Sequence, residues 1–352
     1  MDKTKRPIII WLFSGCLLIY LMVVIGGITR LTHSGLSIAD WSFMGTTPPV
    51  TEAQWQDHFN IYKQTPEFKL INNQFTLNDF KSIFWWEYAH RSLGRIIGIV
   101  FIIPFFYFLL KKKFSKPLLY KLLIIVVMGA LQGLLGWYMV SSGLIKNPHV
   151  SHYRLAAHLL SAFTVFGFTF WVALDEIFPN HFNRDKKLIS LRNLAFVLFG
   201  VLVIQIMYGA FVAGLRAGYF DPTFPKMGNQ WIDNGVTALS PWYKNFTEGI
   251  PGVQFIHRYN AYLVVILVIS VWLKSRKLVL TTLQKKAANT LLIIVCCQFL
   301  LGVLTLIYSV PVVIAVLHQT GAFFLFAATL FFIHQLRVSK NNFSEQKTAS
   351  KK

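Results

Sequence analysis

Four histidines each lie a few residues inside the same end of an otherwise apolar run of the chain. They are His90, His158, His257 and His318. An ionisable side chain within a membrane segment is costly and marks a functional site by default. Imidazole is also the commonest metal ligand among side chains. The four histidines are therefore candidate ligands of haem iron or another metal, with hydrogen bonding near a helix end as the alternative.

The composition predicts an integral membrane protein. Of the 352 residues, 55% are hydrophobic and only 14% are charged. The mean hydropathy is +0.52, which is too apolar for a soluble domain of this length. The formal net charge of +20 raises the alternative of nucleic-acid binding, but the basic residues form short clusters between apolar runs rather than one basic face. We therefore expect a lipid bilayer, and no nucleic acid, as the partner of this surface.

Eight apolar runs are long enough to cross a hydrocarbon core of about 30 Å as helices. We predict spans at 8–28, 84–110, 117–140, 154–174, 191–214, 253–273, 287–309 and 312–336. Clusters of Lys and Arg occupy the N terminus, every second loop and the tail at 337–352, so both termini are predicted to be cytoplasmic. The long loops at 30–83 and 215–252 then face outward. The first run has no small-residue cleavage site, which favours a retained helix of a bacterial inner-membrane protein.

The two halves of the chain repeat each other. His257 follows His90 by 167 residues, and WWEYAHRSLGRIIGIV resembles VQFIHRYNAYLVVILV around them. His318 follows His158 by 160 residues, and the difference in offset falls in a loop, where length changes are tolerated. We predict two four-helix bundles, at 1–174 and 191–336. Each half has an even number of spans, so the repeats are parallel, unlike the inverted repeats of many transporters.

The repeat predicts that the four histidines share one layer near the outer membrane surface. The second, fourth, sixth and eighth spans all run inward, and each histidine lies roughly 6–10 Å from the outer end at 1.5 Å per residue. Two imidazoles from facing helices can hold haem iron within a four-helix bundle. His90 with His158, and His257 with His318, therefore predict two haem sites.

A carboxylate distinguishes the first half from the second. Glu87 lies three residues before His90, on the same helical face, while the equivalent position of the second half is Gln254. The asymmetry suggests that chemistry occurs in the first half and that the second half holds a cofactor. The alternative is that Glu87 is an ion-pair partner for Arg91 or another nearby arginine. The spacing of the histidines alone leaves the halves equivalent.

The segments GGITRLTHSGLSIADW, WWEYAHRSLGR, HRYNAY and HQTGAF closely resemble those of haem A synthases, which convert haem O to haem A for cytochrome oxidase. The resemblance covers residues 8–336. It implies an all-α polytopic fold of eight membrane helices in two four-helix bundles. It also implies that His257 and His318 bind a haem b cofactor, that His90 and His158 bind the iron of the haem O substrate, and that Glu87 matches a functionally important acid.

The resemblance further implies an oxidoreductase that converts the C8 methyl group of haem O to a formyl group. The expected partners are haem O synthase, which is the protohaem farnesyltransferase, an electron donor or acceptor, and a second copy of the chain. No cysteine lies between residues 30 and 83, so the chain resembles the branch of the family without an outer-loop cysteine pair.

Two other classes of protein remain as alternatives. A di-haem membrane electron carrier would usually place its haems toward both membrane faces, whereas these four histidines are predicted to share one. A haem transporter or chaperone would bind haem but would not need Glu87 opposite Gln254. Both features favour the enzyme.

Overall fold

The computed structural model describes residues 5–38, 47–145, 149–178 and 186–337. Across these ranges the chain is almost entirely helical, and its one β-bridge joins Met227 to Gln230. Eight of the helices are long and apolar enough to cross a membrane. They are α1 (Arg6–Leu31), α4 (Leu77–Leu110), α5 (Lys116–Ile145), α6 (His152–Ile177), α7 (Lys186–Gly214), α9 (Ile250–Arg276), α10 (Thr282–Ile307) and α11 (Val312–Gln335). The predicted all-α polytopic membrane fold with eight spans is therefore confirmed.

The loop between the first two membrane helices contains two short helices, α2 (Glu52–Lys63) and α3 (Pro66–Leu70). Helix α2 begins with a capping box in which Thr51 and Gln54 satisfy each other's backbone donors. A second capping box, formed by Thr76 and Asp79, starts α4 at Leu77. Helix α4 therefore begins earlier than the predicted residue 84, because capping rather than hydropathy sets where it starts.

These short helices pack on the first turns of α4 through a small aromatic core. Trp55, Phe59 and Tyr62 of α2 contact Phe80 and Phe84 of α4. Ring pairs of this kind add to the free energy of burying their apolar area. The segment before α4 is thus a folded cap rather than an extended loop.

The Tyr62 phenol ties α2 to α3 inside this cap. It donates to a carboxylate oxygen of Glu67 at 3.2 Å and accepts from the Asn72 amide at 2.8 Å. Burial and the neighbouring Glu67 carboxylate raise the pKa of Tyr62 above its usual value. The phenol therefore stays protonated and keeps donating across the ordinary pH range.

The loop before α9 is also folded. It contains the 3-10 turns Ala217–Tyr219 and Asn234–Thr237 and the short helix α8 (Lys244–Thr247). The side chain of Asn245 bonds the backbone of Leu239 in both directions, at 2.8 and 3.0 Å. Gly252 lies so close to the Asn245 carbonyl that a Cβ there would overlap it. The α8 segment is thereby fixed against the first turn of α9.

The chain forms two compact units. One contains residues 13–166, and the other contains residues 1–12 with residues 167–352, of which the described parts are those given above. In the second unit α7 packs on α9, α9 on α10, α10 on α11 and α11 on α7. These four helices close into a bundle. His257 and His318 lie on two of them, α9 and α11.

Candidate functional site

Each of the four predicted histidines lies on the second helix of a membrane hairpin and faces a glycine on the first. The pairs are Gly26 with His90, Gly136 with His158, Gly209 with His257, and Gly302 with His318. A Cβ on these glycines would lie between 2.8 and 3.2 Å from a ring atom of the partner histidine. The missing side chain of each glycine therefore makes room for an imidazole. The same local arrangement occurs four times in the chain.

His257 and His318 form a facing pair in the second unit. Their ring centroids are 6.4 Å apart and the ring planes are nearly perpendicular, at 89°. An imidazole nitrogen lies about 2 Å from a bound transition metal, so two rings that share one metal ion have centroids roughly 6 Å apart. The observed spacing fits a single iron held between the two rings. His90 and His158 belong together to the other unit, at residues 13–166.

The surroundings of the histidines favour haem over a metal ion held by protein ligands alone. Within the described ranges, no cluster of three or more His, Cys, Asp and Glu side chains is arranged to hold a metal ion. A protein-bound zinc ion takes three or four such ligands, whereas haem iron takes four nitrogens from the porphyrin and needs only axial ligands from the protein. A pair of facing imidazoles is therefore a donor set suited to haem.

Glutamines on the preceding helices hold two of the histidines. The amide nitrogens of Gln132 and Gln205 lie 3.2 Å from Nδ1 of His158 and His257, respectively. Each amide also donates to the backbone carbonyl of its histidine at 3.0 Å. The amide oxygens accept from Ser161 and Asn260. The amide group therefore lies at Nδ1 of each ring, and Nε2 is the nitrogen that can bind a metal once Nδ1 carries the proton.

The sequence reasoning does not identify these glutamines as site residues. The signal that could have found them is their spacing, because each precedes the histidine-facing glycine by four residues, which is one helical turn. Gln298 has the same spacing before Gly302. The hydrogen bonds themselves depend on which faces of two helices meet, and that register is not visible in a single sequence.

Glu87 is buried, with 2% of its surface exposed, and both of its carboxylate oxygens accept hydrogen bonds. One carboxylate oxygen accepts from the Ser37 hydroxyl and from the Ile38 backbone amide, both at 2.7 Å. The other accepts from Arg91 at 2.5 Å, and Arg91 also donates to the Ile38 carbonyl at 2.7 Å. The ion pair considered as the alternative role of Glu87 is therefore present. It fastens the segment after α1 to α4, one turn from His90.

In the second half an arginine and a glutamine hold the equivalent loop, but the glutamine replaces the carboxylate of Glu87. Arg258 donates to the Asp221 carbonyl at 2.5 Å, which repeats the bond from Arg91 to Ile38 at an offset of 183 between the accepting residues. Gln254 donates to the carbonyls of Ala217 and Asp221 at 2.9 and 3.1 Å. Glu87 thus accepts from its loop, whereas Gln254 donates to its loop. The difference predicted between the halves coincides with a difference in how each loop is held.

Comparisons with known proteins agree with this architecture. The family described as cytochrome oxidase assembly protein matches residues 9–330. A protein of Flavobacterium psychrophilum named "Heme A synthase" is 50% identical over 338 residues, which cover 95% of this chain and 99% of the relative. Its namesake in Flavobacterium johnsoniae is 50% identical over 96% of this chain and 99% of its own length. One from Nitrosospira multiformis is 48% identical over 95% of this chain and 94% of its own length.

The family match at residues 9–330 includes the positions of the four histidines and nearly all of the eight membrane helices. The identity of the relatives is far above the level at which only a fold is shared. The chain therefore belongs to the cytochrome oxidase assembly protein family, whose members include these haem A synthases.

Proposed function

We propose that this chain is a haem A synthase, which oxidises the C8 methyl group of haem O to a formyl group. The observation that carries the proposal is the facing pair of His257 and His318, with its 6.4 Å spacing and a glycine opposite each ring. The same arrangement of histidine and glycine recurs at His90 and His158. The relatives named for this activity match almost the full chain.

The two histidine pairs are assigned different occupants. His257 and His318 would hold haem b as the resident cofactor, and His90 and His158 would bind the iron of the haem O substrate. Haem supplies an iron centre capable of one-electron and oxygen chemistry when it is bound. The protein residues hold the rings, exclude water and set which face of the porphyrin meets which side chain. The assignment of substrate to the first half rests on Glu87 and on the family resemblance.

The contacts of Glu87 favour substrate orientation over proton transfer. Its oxygens accept from Ser37, Ile38 and Arg91, which leaves little capacity to exchange a proton with substrate. The same contacts fix the loop after α1 beside the helix turn that carries His90. We assign Glu87 the role of a positioning residue for the substrate site.

The cellular setting follows from the charge pattern. The clusters of Lys and Arg support cytoplasmic termini in a bacterial inner membrane, and the histidine layer would then lie near the outer face. Haem O is the product of a farnesyltransferase acting on protohaem, so haem O synthase is the proposed upstream partner. An electron donor or acceptor completes the reaction, and a second copy of the chain is a candidate partner.

The proposal is tested by the haems that cells accumulate. Bacteria that make haem O but lack this activity would be compared with and without the chain, and their extracted haems separated by chromatography. We expect a formyl-bearing haem only when the chain is present. Bound haem without any formyl product would instead support the electron-carrier or transporter alternatives.

A further inference from the structure

The four histidines are not held alike, and the difference singles out His90. Three of the helices that face them carry a glutamine four residues before the glycine: Gln132, Gln205 and Gln298. On α1 the corresponding residue is Met22. A thioether sulfur is only a weak acceptor and cannot donate. The Gln-x-x-x-Gly pattern is therefore broken in one hairpin of four.

The ring of His90 is also turned differently. For His158, His257 and His318 the atom nearest to a Cβ on the facing glycine would be Cε1. For His90 the nearest atoms would be Nε2 at 3.1 Å and Cδ2 at 3.4 Å. The edge that carries Nε2 thus lies against α1 at Gly26, and no hydrogen bond to this ring is found in the described part of the chain. The Met22 methyl lies close to α4, where a Cβ on Gly94 would be 3.3 Å from it.

The amide oxygen of the third glutamine, Gln298, makes no hydrogen bond to His318 in this structure. Nδ1 of His318 and Oε1 of Gln298 are both buried and have no hydrogen-bond partner among the described residues. Gly321, one turn after His318, approaches Oε1 so closely that a side chain there would overlap it. A histidine that binds iron through Nε2 carries its proton on Nδ1 and needs an acceptor there. Gln298 supplies that acceptor beside His318.

The same requirement can be met at Gln132, and at Gln205 when the Asn260 amide, which donates to Oε1 of Gln205, turns with it. The Ser161 hydroxyl both donates and accepts, so the Gln132 amide can turn over and present Oε1 to Nδ1–H of His158. Partners of this kind fix the ring orientation of a metal-binding histidine and raise its basicity. A histidine without one is held by the iron bond alone.

We propose that the glutamines are positioning residues for firmly held haem ligands, and that Met22 leaves His90 as the exchangeable ligand of the four. The inference rests on the proposed function, because it assumes haem at both histidine pairs. Its consequence is that an external ligand can reach the iron in the first half but not the iron in the second. The residue that confers this difference is Met22, and it does not itself touch the iron.

Carbon monoxide binding to the reduced, haem-loaded protein tests the inference without measuring turnover. In the unaltered protein we expect part of the haem to bind carbon monoxide. Met22→Gln should lower that affinity by about 10- to 100-fold, the usual effect of a residue that orients a metal ligand. Met22→Leu, which also lacks an amide, is the matched control and should bind carbon monoxide as the unaltered protein does. The reciprocal change, Gln205→Met, should create carbon monoxide binding at the second haem.

Haem content, measured as the pyridine complex, separates the outcomes. Equal carbon monoxide binding by Met22→Gln and the unaltered protein, at equal haem content, would overturn the inference and leave the proposed function standing. If the fully haem-loaded, unaltered protein bound no carbon monoxide, the inference would also be overturned and the proposed function would stand. If the unaltered protein bound no haem at all, the proposed function would fail, and the inference with it. Because Gln205→Met tests the same idea in the other half, poor folding of one variant does not remove the test.

Discussion

Glu87 and Arg91 form a buried ion pair, and both side chains also bond to the segment after α1. Removing one partner of such a pair leaves a charge without compensation, which is why buried pairs are sensitive to single substitutions. The equivalent residues Gln254 and Arg258 donate to carbonyl groups of their loop, and Arg258 also lies 4.0 Å from the Asp221 carboxylate. In the second half the carboxylate that faces the arginine therefore belongs to the loop, and the residue on the helix is neutral. In the first half the carboxylate lies on α4 itself, one turn before His90, and we assign that placement to the substrate site.

Glu87→Gln tests this role. The amide can still accept from Ser37 and Ile38, but its nitrogen would face the Arg91 guanidinium, so the loop beside His90 shifts. We expect conversion of haem O to fall by on the order of 100-fold, as misplacement of about 1 Å can cause, measured in isolated membranes. Haem b content should stay unchanged because the proposed haem b site lies in the other half. Full conversion by the variant would contradict the role.

The helix hairpin is the unit that is repeated in this protein. In each hairpin a glycine on the first helix faces a histidine on the second, so a small residue on one element defines the position of a functional residue on the next. Small residues allow membrane helices to approach closely. Here the same residues also leave the space that the imidazole fills. The helix register and the candidate site are therefore set by the same contacts.

Gly302→Ala tests whether the hairpin packing determines haem binding. The new methyl group would lie 2.8 Å from Cε1 of His318, so the ring must move, and overpacking of this kind costs about 1–3 kcal/mol. We expect the affinity for haem b to fall by roughly tenfold or more, measured as haem bound per chain after purification. Gly200→Ala on α7, where a Cβ meets nothing within 4 Å, is the control and should bind haem normally. Equal haem content in both variants would contradict this account.

Hydropathy and charge were sufficient to predict the eight membrane helices, because the cost of exposing polar backbone in lipid leaves few alternatives. The helix starts were less accurate. Helix α4 begins at Leu77 through the capping box at Thr76, which lies outside the apolar run. The aromatic cap around Trp55 and Tyr62 also lacked a periodic signal strong enough to predict its fold. The histidines and Glu87 were visible as costly residues in apolar segments, whereas the contacts of Gln132 and Gln205 depend on helix register.

At the scale of the whole molecule, the two halves share a scaffold and differ at a few positions. Both halves carry two histidines opposite glycines, and both anchor the loop after their first helix by an arginine. They differ at Glu87 against Gln254 and at Met22 against Gln205. On the proposed function, both differences favour reactivity in the first half. We propose that these differences divide the roles, so that the second half holds haem and the first half converts it.

This division of roles predicts different outcomes for equivalent substitutions. His257→Ala removes one of two ligands from the firmly held site, so the purified protein should lose its tightly bound haem b. His90→Ala removes the equivalent ligand from the substrate site, so the protein should keep haem b and lose formation of haem A. Haem content and extracted haem products, measured for both variants in the same membranes, distinguish the two effects. Unchanged haem b in His257→Ala would reverse the assignment of the halves, because the cofactor would then depend on the ligands of the first.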